Sequence, residues 1–420
     1  MKKKAILLFS LFFVFYWFSC SLTNKGYKNF IVRKHPLGTN IIPAATTFYK
    51  DVLPTLRGKK VALITNPSGI GQNPDKISQK FRQHSVSIEF LIGLEHGFLG
   101  LEEDFSSKSQ DVDAIFKLPI YHIYRTKKNK LRSLLAEVDA VIFDVQDVGM
   151  RCYTYLTVLK RVMDTLKADV RLVLLDHINP GIHFRPRGQM MRAKLYNFAG
   201  EFPSLFISGL TIGESASYYN HALLNSKVNL TVITVKNYQR GTNFEEAGIV
   251  WNTPSPNLPN LDSARNYYSL VLLEGINVSV GRGTQAPFVY FGAPWFKTPD
   301  KLAQALNQTS NREYYYQVVY FKPDFGPYAG KICKGLRLTI VNTNYDPIRA
   351  GYILVQTLKK FYPKNFRWRK SGRRFWLDMF WGTTDFRKSI DAGKNYWDFH
   401  KLFSKVEEDM YEKVKLYRIY

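Results

Sequence analysis

The chain has 420 residues, of which 59 are lysine or arginine and 34 are acidic, so its formal net charge is +25. A hydrophobic content of 45% is ordinary for a globular protein, and the length exceeds what one core usually supports, so we expect two domains. The charge favours anionic partners, such as nucleic acid, phospholipid or an anionic cell-wall glycan. Three cysteines do not indicate a disulfide framework, and we expect Cys152 and Cys333 to be buried small side chains.

The N-terminus has the order of charge and hydrophobicity that is typical of a secretory signal. Three lysines precede the apolar run AILLFSLFFVFYWFS, which is shorter than the roughly 20 residues that a membrane span needs. Cys20 then follows in a setting similar to a bacterial lipoprotein cleavage site. We predict a signal peptide over residues 1–20, lipidation of Cys20, a tether over 21–45 and an envelope location. Simple secretion and an uncleaved anchor are the alternatives, and an exported protein is not expected to bind nucleic acid.

Six short apolar runs recur between helical stretches in the next part of the chain. Unbroken apolar strands that alternate with helices indicate a parallel sheet covered on both faces. The pattern therefore predicts a Rossmann-like, doubly wound α/β domain over residues 46–245. The predicted strands are VALIT (61–65), VSIEFLIG (86–93), LPIYHIY (118–124), DAVIFDV (139–145), VRLVLLD (170–176) and LTVITV (230–235).

Distinctive polar residues follow these predicted strands. Ligands of open α/β sheets bind at the carboxyl ends of the strands, so position alone makes these residues candidates for a site. They are Asn66 after the first strand, Glu95 and His96 after the second, Asp144, Gln146 and Asp147 at the fourth, and Asn179 after the fifth.

Known cofactor motifs do not occur in this chain. The first strand is followed by Gly69 and Gly71 but then by Pro74, so the glycine fingerprint of dinucleotide binding is missing. We find no lysine loop of the Walker type, and the histidines lack metal-ligand spacing. The sequence therefore predicts neither a nucleotide cofactor nor a metal site.

The pattern changes near residue 245. The segment 251–264 is rich in proline and predicts a rigid connection, and residues 272–284 place Glu274, Asn277 and Arg282 among glycines. A strand over 335–341 and a helix near 349–361 then predict a smaller α+β domain over residues 252–420. The run RWRKSGRRFW mixes cations with aromatic residues, and we interpret it as a solvated turn with its aromatic side chains directed inward.

Eight motifs in order make the chain similar to the exo-β-N-acetylmuramidase family of the NamZ type, formerly a domain of unknown function. The resemblance implies a Rossmann-like domain joined to a smaller C-terminal domain that completes a cleft at the strand ends. It also implies removal of terminal N-acetylmuramic acid from the non-reducing end of peptidoglycan fragments. The motifs are ALITNPSG, LEHGFLG, VIFDVQDVGMRCYTYL, LDHINP, LTIGE, PSPNLPNLDSA, LLEGINVSVGRGT and FGAPW.

Glycosidic cleavage needs a proton donor for the leaving oxygen and, usually, a second carboxyl group. Glu95 is the predicted donor, because the family places its catalytic glutamate in this motif and a partly apolar loop favours an acid form. Asp147 is the preferred second group. Asp144, Glu274 and the acetamido group of the substrate are the alternatives.

The remaining candidates are predicted to bind the substrate. N-Acetylmuramic acid carries a lactyl carboxylate, and the planar, always charged side chains of Arg151 and Arg282 are its predicted partners, with an ion pair to Asp144 or Glu274 as the alternative for each. Other predicted contacts are sugar stacking by Tyr153 and orientation of Glu95 by His96. Asn66, Asn179 and Asn277 are predicted either to contact sugar hydroxyls or to form turns. A non-catalytic peptidoglycan-binding lipoprotein is the alternative function, and a nucleotide-dependent oxidoreductase or transferase is disfavoured by the missing glycine fingerprint.

Overall fold

The structure is a computed structural model that describes residues 41–69, 73–95, 97, 110–113 and 115–420. The predicted signal peptide, the lipidation site Cys20 and His96 lie outside the described residues. Thr39–Tyr420 form one compact unit. The division of this unit into two domains near residue 250 remains a prediction.

A mostly parallel sheet forms the centre of the first half of the chain. Its strands in the described residues are β1 (Lys60–Thr65), β2 (Ser87–Gly93), β3 (Gln110–Val112), β4 (Pro119–His122), β5 (Ala140–Asp144), β6 (Arg171–Leu175) and β7 (Asn229–Ile233). They lie in the order β3-β4-β2-β1-β5-β6-β7, and only β3 runs antiparallel to its neighbour. Each of the six predicted runs matches one strand to within two residues at either end. The short strand β3 was not predicted, because its three residues are exposed and form no apolar run.

Helices cover both faces of this sheet, as the unbroken apolar strands predicted. Val61 and Leu63 of β1 pack in one hydrophobic cluster, whereas Ala62 and Ile64 pack in another on the opposite face. The described α-helices are α1 (Ala44–Thr47), α2 (Pro74–Gln83), α3 (Lys128–Leu135), α4 (Tyr155–Met163), α5 (Ile212–Tyr218), α6 (Leu261–Leu270), α7 (Pro299–Asn307), α8 (Pro347–Phe361), α9 (Trp376–Trp381), α10 (Asp385–Asp391), α11 (Tyr396–His400) and α12 (Ser404–Val414).

The second half of the chain has the predicted α+β character. Its antiparallel sheet has the order β8-β10-β9, and a two-stranded hairpin follows α8. Helix α8 matches the predicted helix and begins where Asp346 accepts the backbone N–H groups of Ile348 and Arg349. The strands are β8 (Tyr290–Ala293), β9 (Tyr314–Phe321), β10 (Cys333–Ile340), β11 (Lys370–Ser371) and β12 (Arg374–Phe375).

Two further features of the described part bear on function. No helix in it is long and apolar enough to cross a membrane. Cys152 and Cys333 are buried free thiols, as predicted.

Candidate active site

A cleft of about 510 Å³ brings together residues from both halves of the chain. Glu95 contributes a carboxyl group from the parallel sheet, and the proline-rich segment contributes Ser255 and Asn257. Glu274, Arg282 and Arg369 come from the second half. Aromatic side chains supply much of the wall, namely Tyr153, Phe198, Tyr267, Phe288, Phe325, Trp376 and Phe380. Polar groups set in aromatic walls are the usual construction of a small-molecule site.

Glu95 stands two residues beyond the end of β2, where the chain turns. Gly97 closes this turn by donating its N–H to the Leu94 carbonyl at 3.2 Å, and its φ of 72° is one that glycine adopts without strain. The hydroxyl of Thr154, which directly precedes α4, donates to Oε2 of Glu95 at 2.7 Å. The turn places the carboxyl group in the cleft, and Thr154 fixes its orientation.

Two buried phenol groups, those of Tyr124 and Tyr153, lie close enough to Glu95 to interact with its charge. Burial raises the pKa of Tyr124 well above its usual value, and the nearby charge of Glu95 raises it further. The pKa of Tyr153 is raised by burial, by Tyr155 and by Glu95. These phenols are therefore neutral at ordinary pH.

The second carboxyl group of the cleft belongs to Glu274. Its Oε1 lies 3.0 Å from Nη2 of Arg282, and the Arg282 guanidinium lies 5.4 Å from the centre of the Phe288 ring. The Glu274 side chain is 16% exposed and that of Arg282 is 34% exposed, so the pair borders the open space. The structure thus brings two of the predicted acids, Glu95 and Glu274, into one cleft.

Arg369 and Trp376 also line the cleft, and the sequence did not identify them as site residues. They flank the β11–β12 hairpin and belong to the run RWRKSGRRFW, interpreted from its sequence as a solvated turn. The tip of the hairpin is exposed and Trp376 is half-buried, which agrees with a solvated turn whose aromatic side chains are directed inward, but that interpretation did not include Arg369 in the cleft. The signal available in the sequence was the mixture of cations and aromatic residues.

Cys152 lines the cleft but has the properties of a structural thiol. Its Sγ lies 3.7 Å from the hydroxyl oxygen of Tyr267, and burial raises the pKa of the thiol to about 12. A nucleophilic cysteine needs the thiolate at neutral pH. Cys152 is therefore not a candidate nucleophile.

Asp147 and Arg151 do not line the cleft. The Asp147 side chain is 1% exposed and accepts the N–H of Gly149 through Oδ2, and burial raises its pKa to about 7. The fully buried Arg151 donates to the carbonyl oxygens of Ser204, Phe380, Trp381 and Gln189, so it ties the cleft wall near Phe380 to the first half of the chain. Because neither side chain reaches the cleft, their predicted contacts with substrate find no support in this geometry.

The three asparagines predicted to contact the sugar instead form hydrogen bonds within the protein. Asn66 donates to the Tyr155 hydroxyl and accepts the N–H of Ser68, and Asn179 donates to the Leu210 carbonyl. Asn277 joins the chain at residues 365 and 367 through both ends of its amide. None of these asparagines lines the cleft, so the turn-forming interpretation, which is the ordinary role of such side chains, accounts for their contacts.

Asp144 and Gln146 line a second cavity of about 410 Å³ at the ends of β1, β5 and β6. Oδ1 of Asp144 lies 2.6 Å from Nε2 of His177, and Gln146 donates to the carbonyl oxygen of Ile178. The structure therefore separates these strand-end residues from Glu95. Within the described residues, no group of three potential metal ligands lies close enough to hold an ion.

Comparisons with known proteins extend the motif-based resemblance. The model of the exo-β-N-acetylmuramidase NamZ N-terminal region matches residues 61–262, and the model of its C-terminal region matches residues 265–420. A curated relative, the peptidoglycan β-N-acetylmuramidase NamZ of Bacillus subtilis (strain 168), is 28% identical over 396 residues, which are 94% of each chain.

Two solved structures of DUF1343 family proteins from Bacteroides fragilis have a similar fold. One has a TM-score of 0.80 at 24% identity and covers 91% of this chain and 100% of its own. The other has a TM-score of 0.67 at 26% identity and covers 91% and 99%. The two family models together match most of the chain, so it belongs to the exo-β-N-acetylmuramidase NamZ family.

Proposed function

We propose that this chain hydrolyses the β-1,4 bond of the terminal, non-reducing N-acetylmuramic acid of peptidoglycan fragments, with Glu95 as the general acid. The observation that carries the proposal is the presence of two carboxyl groups, Glu95 and Glu274, in one aromatic-walled cleft. Paired carboxyl groups are the usual equipment of glycoside hydrolases. The name and the extent of the match to the Bacillus subtilis relative support the same activity.

Glu95 protonates the oxygen of the leaving sugar as the glycosidic bond breaks, and a water molecule then adds to the anomeric carbon and returns a proton to Glu95. The hydroxyl of Thr154 holds Oε2, so that the carboxyl group is oriented before substrate arrives. Thr154 acts through Glu95 and is therefore a positioning residue.

Glu274 supplies the second charge. Positive charge develops on the sugar ring in the transition state, and a carboxylate in the same cleft stabilises it. Arg282 holds one oxygen of Glu274 at 3.0 Å and thereby fixes its place. We assign this role to Glu274 rather than to Asp147, because only Glu274 lines the cleft.

The aromatic walls suit a sugar substrate, since an aromatic face packs against the apolar face of a pyranose ring. Trp376 and Phe380 come from the predicted C-terminal domain, whereas Tyr153 comes from the first. This distribution supports the proposal that the second domain completes the cleft. The non-catalytic binding alternative is not favoured, because a pure binding protein has no use for an oriented acid such as Glu95.

The envelope location is part of the proposal and depends on the sequence of the leader. Cleavage before Cys20 and lipidation of this residue would leave the enzyme tethered through the segment that precedes Ile42, because Ile42 already pairs with Lys236 and α1 begins at Ala44. Mass spectrometry of the mature N-terminus tests this: a lipid-modified Cys20 is expected, and an intact Met1 or an unmodified terminus elsewhere would overturn the anchor.

The activity is tested with the chain from Ser21 onward and a disaccharide of N-acetylmuramic acid β-1,4-linked to N-acetylglucosamine. We expect equal amounts of the two free sugars. If no monosaccharide forms at any pH while the protein remains folded, the proposed activity is wrong.

A further inference from the structure

The two guanidinium groups that line the cleft have different partners. Arg282 pairs with the carboxylate of Glu274. Arg369 donates from Nη1 to the backbone carbonyl of the same residue at 3.1 Å and forms no salt bridge with any described residue. The charge of Arg369 is therefore available to an anion that enters the cleft.

Arg369 is also held in place before any ligand binds. Its backbone N–H donates to the Gly275 carbonyl at 2.9 Å, and its carbonyl accepts the N–H of Trp376 at 3.1 Å. The guanidinium lies 5.8 Å from the centre of the Trp376 ring. A guanidinium has five N–H donors, and only one of them is used by the contact with Glu274. A fixed guanidinium loses little freedom on binding, which favours affinity.

We propose that Arg369 binds the lactyl carboxylate of the terminal N-acetylmuramic acid and thereby selects muramyl over glucosaminyl ends. This inference rests on the proposed function of the cleft. N-Acetylglucosamine has the same ring and acetamido group but lacks the lactyl ether, so a cation that reads the carboxylate distinguishes the two sugars. Planar, paired donors match the two oxygens of a carboxylate.

The other arginines fit this role less well. Arg282 would have to exchange its contact with Glu274 for the ligand. Arg151 is fully buried and donates to four backbone carbonyls. Arg369 thus replaces Arg151 and Arg282 as the residue proposed to bind the lactyl carboxylate.

The test compares the 4-nitrophenyl β-glycosides of N-acetylmuramic acid and N-acetylglucosamine. Loss of a charged hydrogen-bond partner lowers kcat/KM by roughly 10- to 150-fold. We expect Arg369→Gln to lower kcat/KM for the muramyl substrate by this factor, mainly through KM, and to leave unchanged the much slower release of 4-nitrophenol from the activated glucosaminyl substrate. Arg369→Lys keeps the charge and should retain part of the preference. Arg373→Gln, at the exposed tip of the same hairpin, should match the parent.

A binding experiment keeps the test independent of turnover. Calorimetry with free N-acetylmuramic acid and with its neutral methyl ester should show that the parent prefers the acid and that Arg369→Gln does not. If Arg369→Gln weakens both ligands equally, or leaves the preference for the acid intact, the assignment is wrong. If the parent cleaves neither glycoside but still prefers the acid, the proposed activity fails while the carboxylate subsite stands.

Discussion

Glu95→Gln tests the assignment of the general acid. The amide oxygen can still accept the hydrogen bond from Thr154, which measures 2.7 Å in the parent, so the side chain should keep its place. The amide has no acid proton to give to the leaving oxygen. General acid catalysis contributes about 10²- to 10⁴-fold in rate, which corresponds to roughly 3–5 kcal/mol of activation free energy.

The assay compares two leaving groups. With the natural disaccharide, kcat should fall by the full factor, whereas a 4-nitrophenyl glycoside needs little protonation and should lose much less. Glu137→Gln, an exposed substitution of the same type, should behave as the parent in both assays. The melting temperature of Glu95→Gln should stay close to that of the parent. Near-parent turnover of the disaccharide by Glu95→Gln would refute the assignment and direct the search for the acid to Glu274.

Three further predictions concern Thr154, which lines the cleft, and the buried residues Arg151 and Asp147. Thr154→Val removes the hydroxyl that orients Glu95 and should lower kcat/KM by up to about tenfold, which is the contribution of one hydrogen bond to a neutral carboxyl group, whereas Thr154→Ser should restore the rate. Equal rates for the two variants would contradict a positioning role. Arg151→Met leaves four backbone carbonyls without their donor and should lower the free energy of unfolding by roughly 4 kcal/mol or more. Urea denaturation measures this change, and a value below about 1 kcal/mol would show that these hydrogen bonds do not stabilise the fold. Burial raises the pKa of Asp147 from 3.8 to about 7, so between these pH values the folded state binds one more proton than the unfolded state. The free energy of unfolding therefore falls as pH rises through this window, by up to about 1.4 kcal/mol per pH unit. Asp147→Asn should remove this share of the slope and leave the share of Asp176, whose pKa is raised to about 6; an unchanged slope would contradict a buried, titrating Asp147.

The sheet was predictable because its strands carry their own signal. Residues 61–64 and 140–143 are apolar and buried on both faces of the sheet, and polar residues follow each stretch, which is what a covered parallel strand requires. The position of Glu95 followed in the same way, since strand ends meet at one edge of a sheet.

Side-chain direction after a strand end was not predictable. Asp147 follows β5 as Glu95 follows β2, but its carboxyl group turns inward to the Gly149 N–H and is buried. A sequence gives the order of residues past the strand, whereas the path of the turn decides which of them reach the cleft.

Contacts between distant segments of the chain could not be predicted from the sequence either. Arg369 enters the cleft because its backbone is bound to Gly275 and Trp376, and no local pattern in the hairpin encodes these partners. The run from Arg367 to Trp376 stands out by its mixture of cations and aromatic residues, but only the folded chain shows which of its cations faces the cleft.

The most direct measurement of the central claim uses glycan chains labelled at the reducing end, with either N-acetylmuramic acid or N-acetylglucosamine at the non-reducing end. Each glycan is incubated with the protein from Ser21 onward, and its products are followed over time. We predict that the muramyl-ended chain loses one N-acetylmuramic acid and shortens by a single sugar, while the glucosaminyl-ended chain stays intact. Internal cleavage with products of mixed length, or release of N-acetylglucosamine from the second chain, would contradict an exo-acting muramidase.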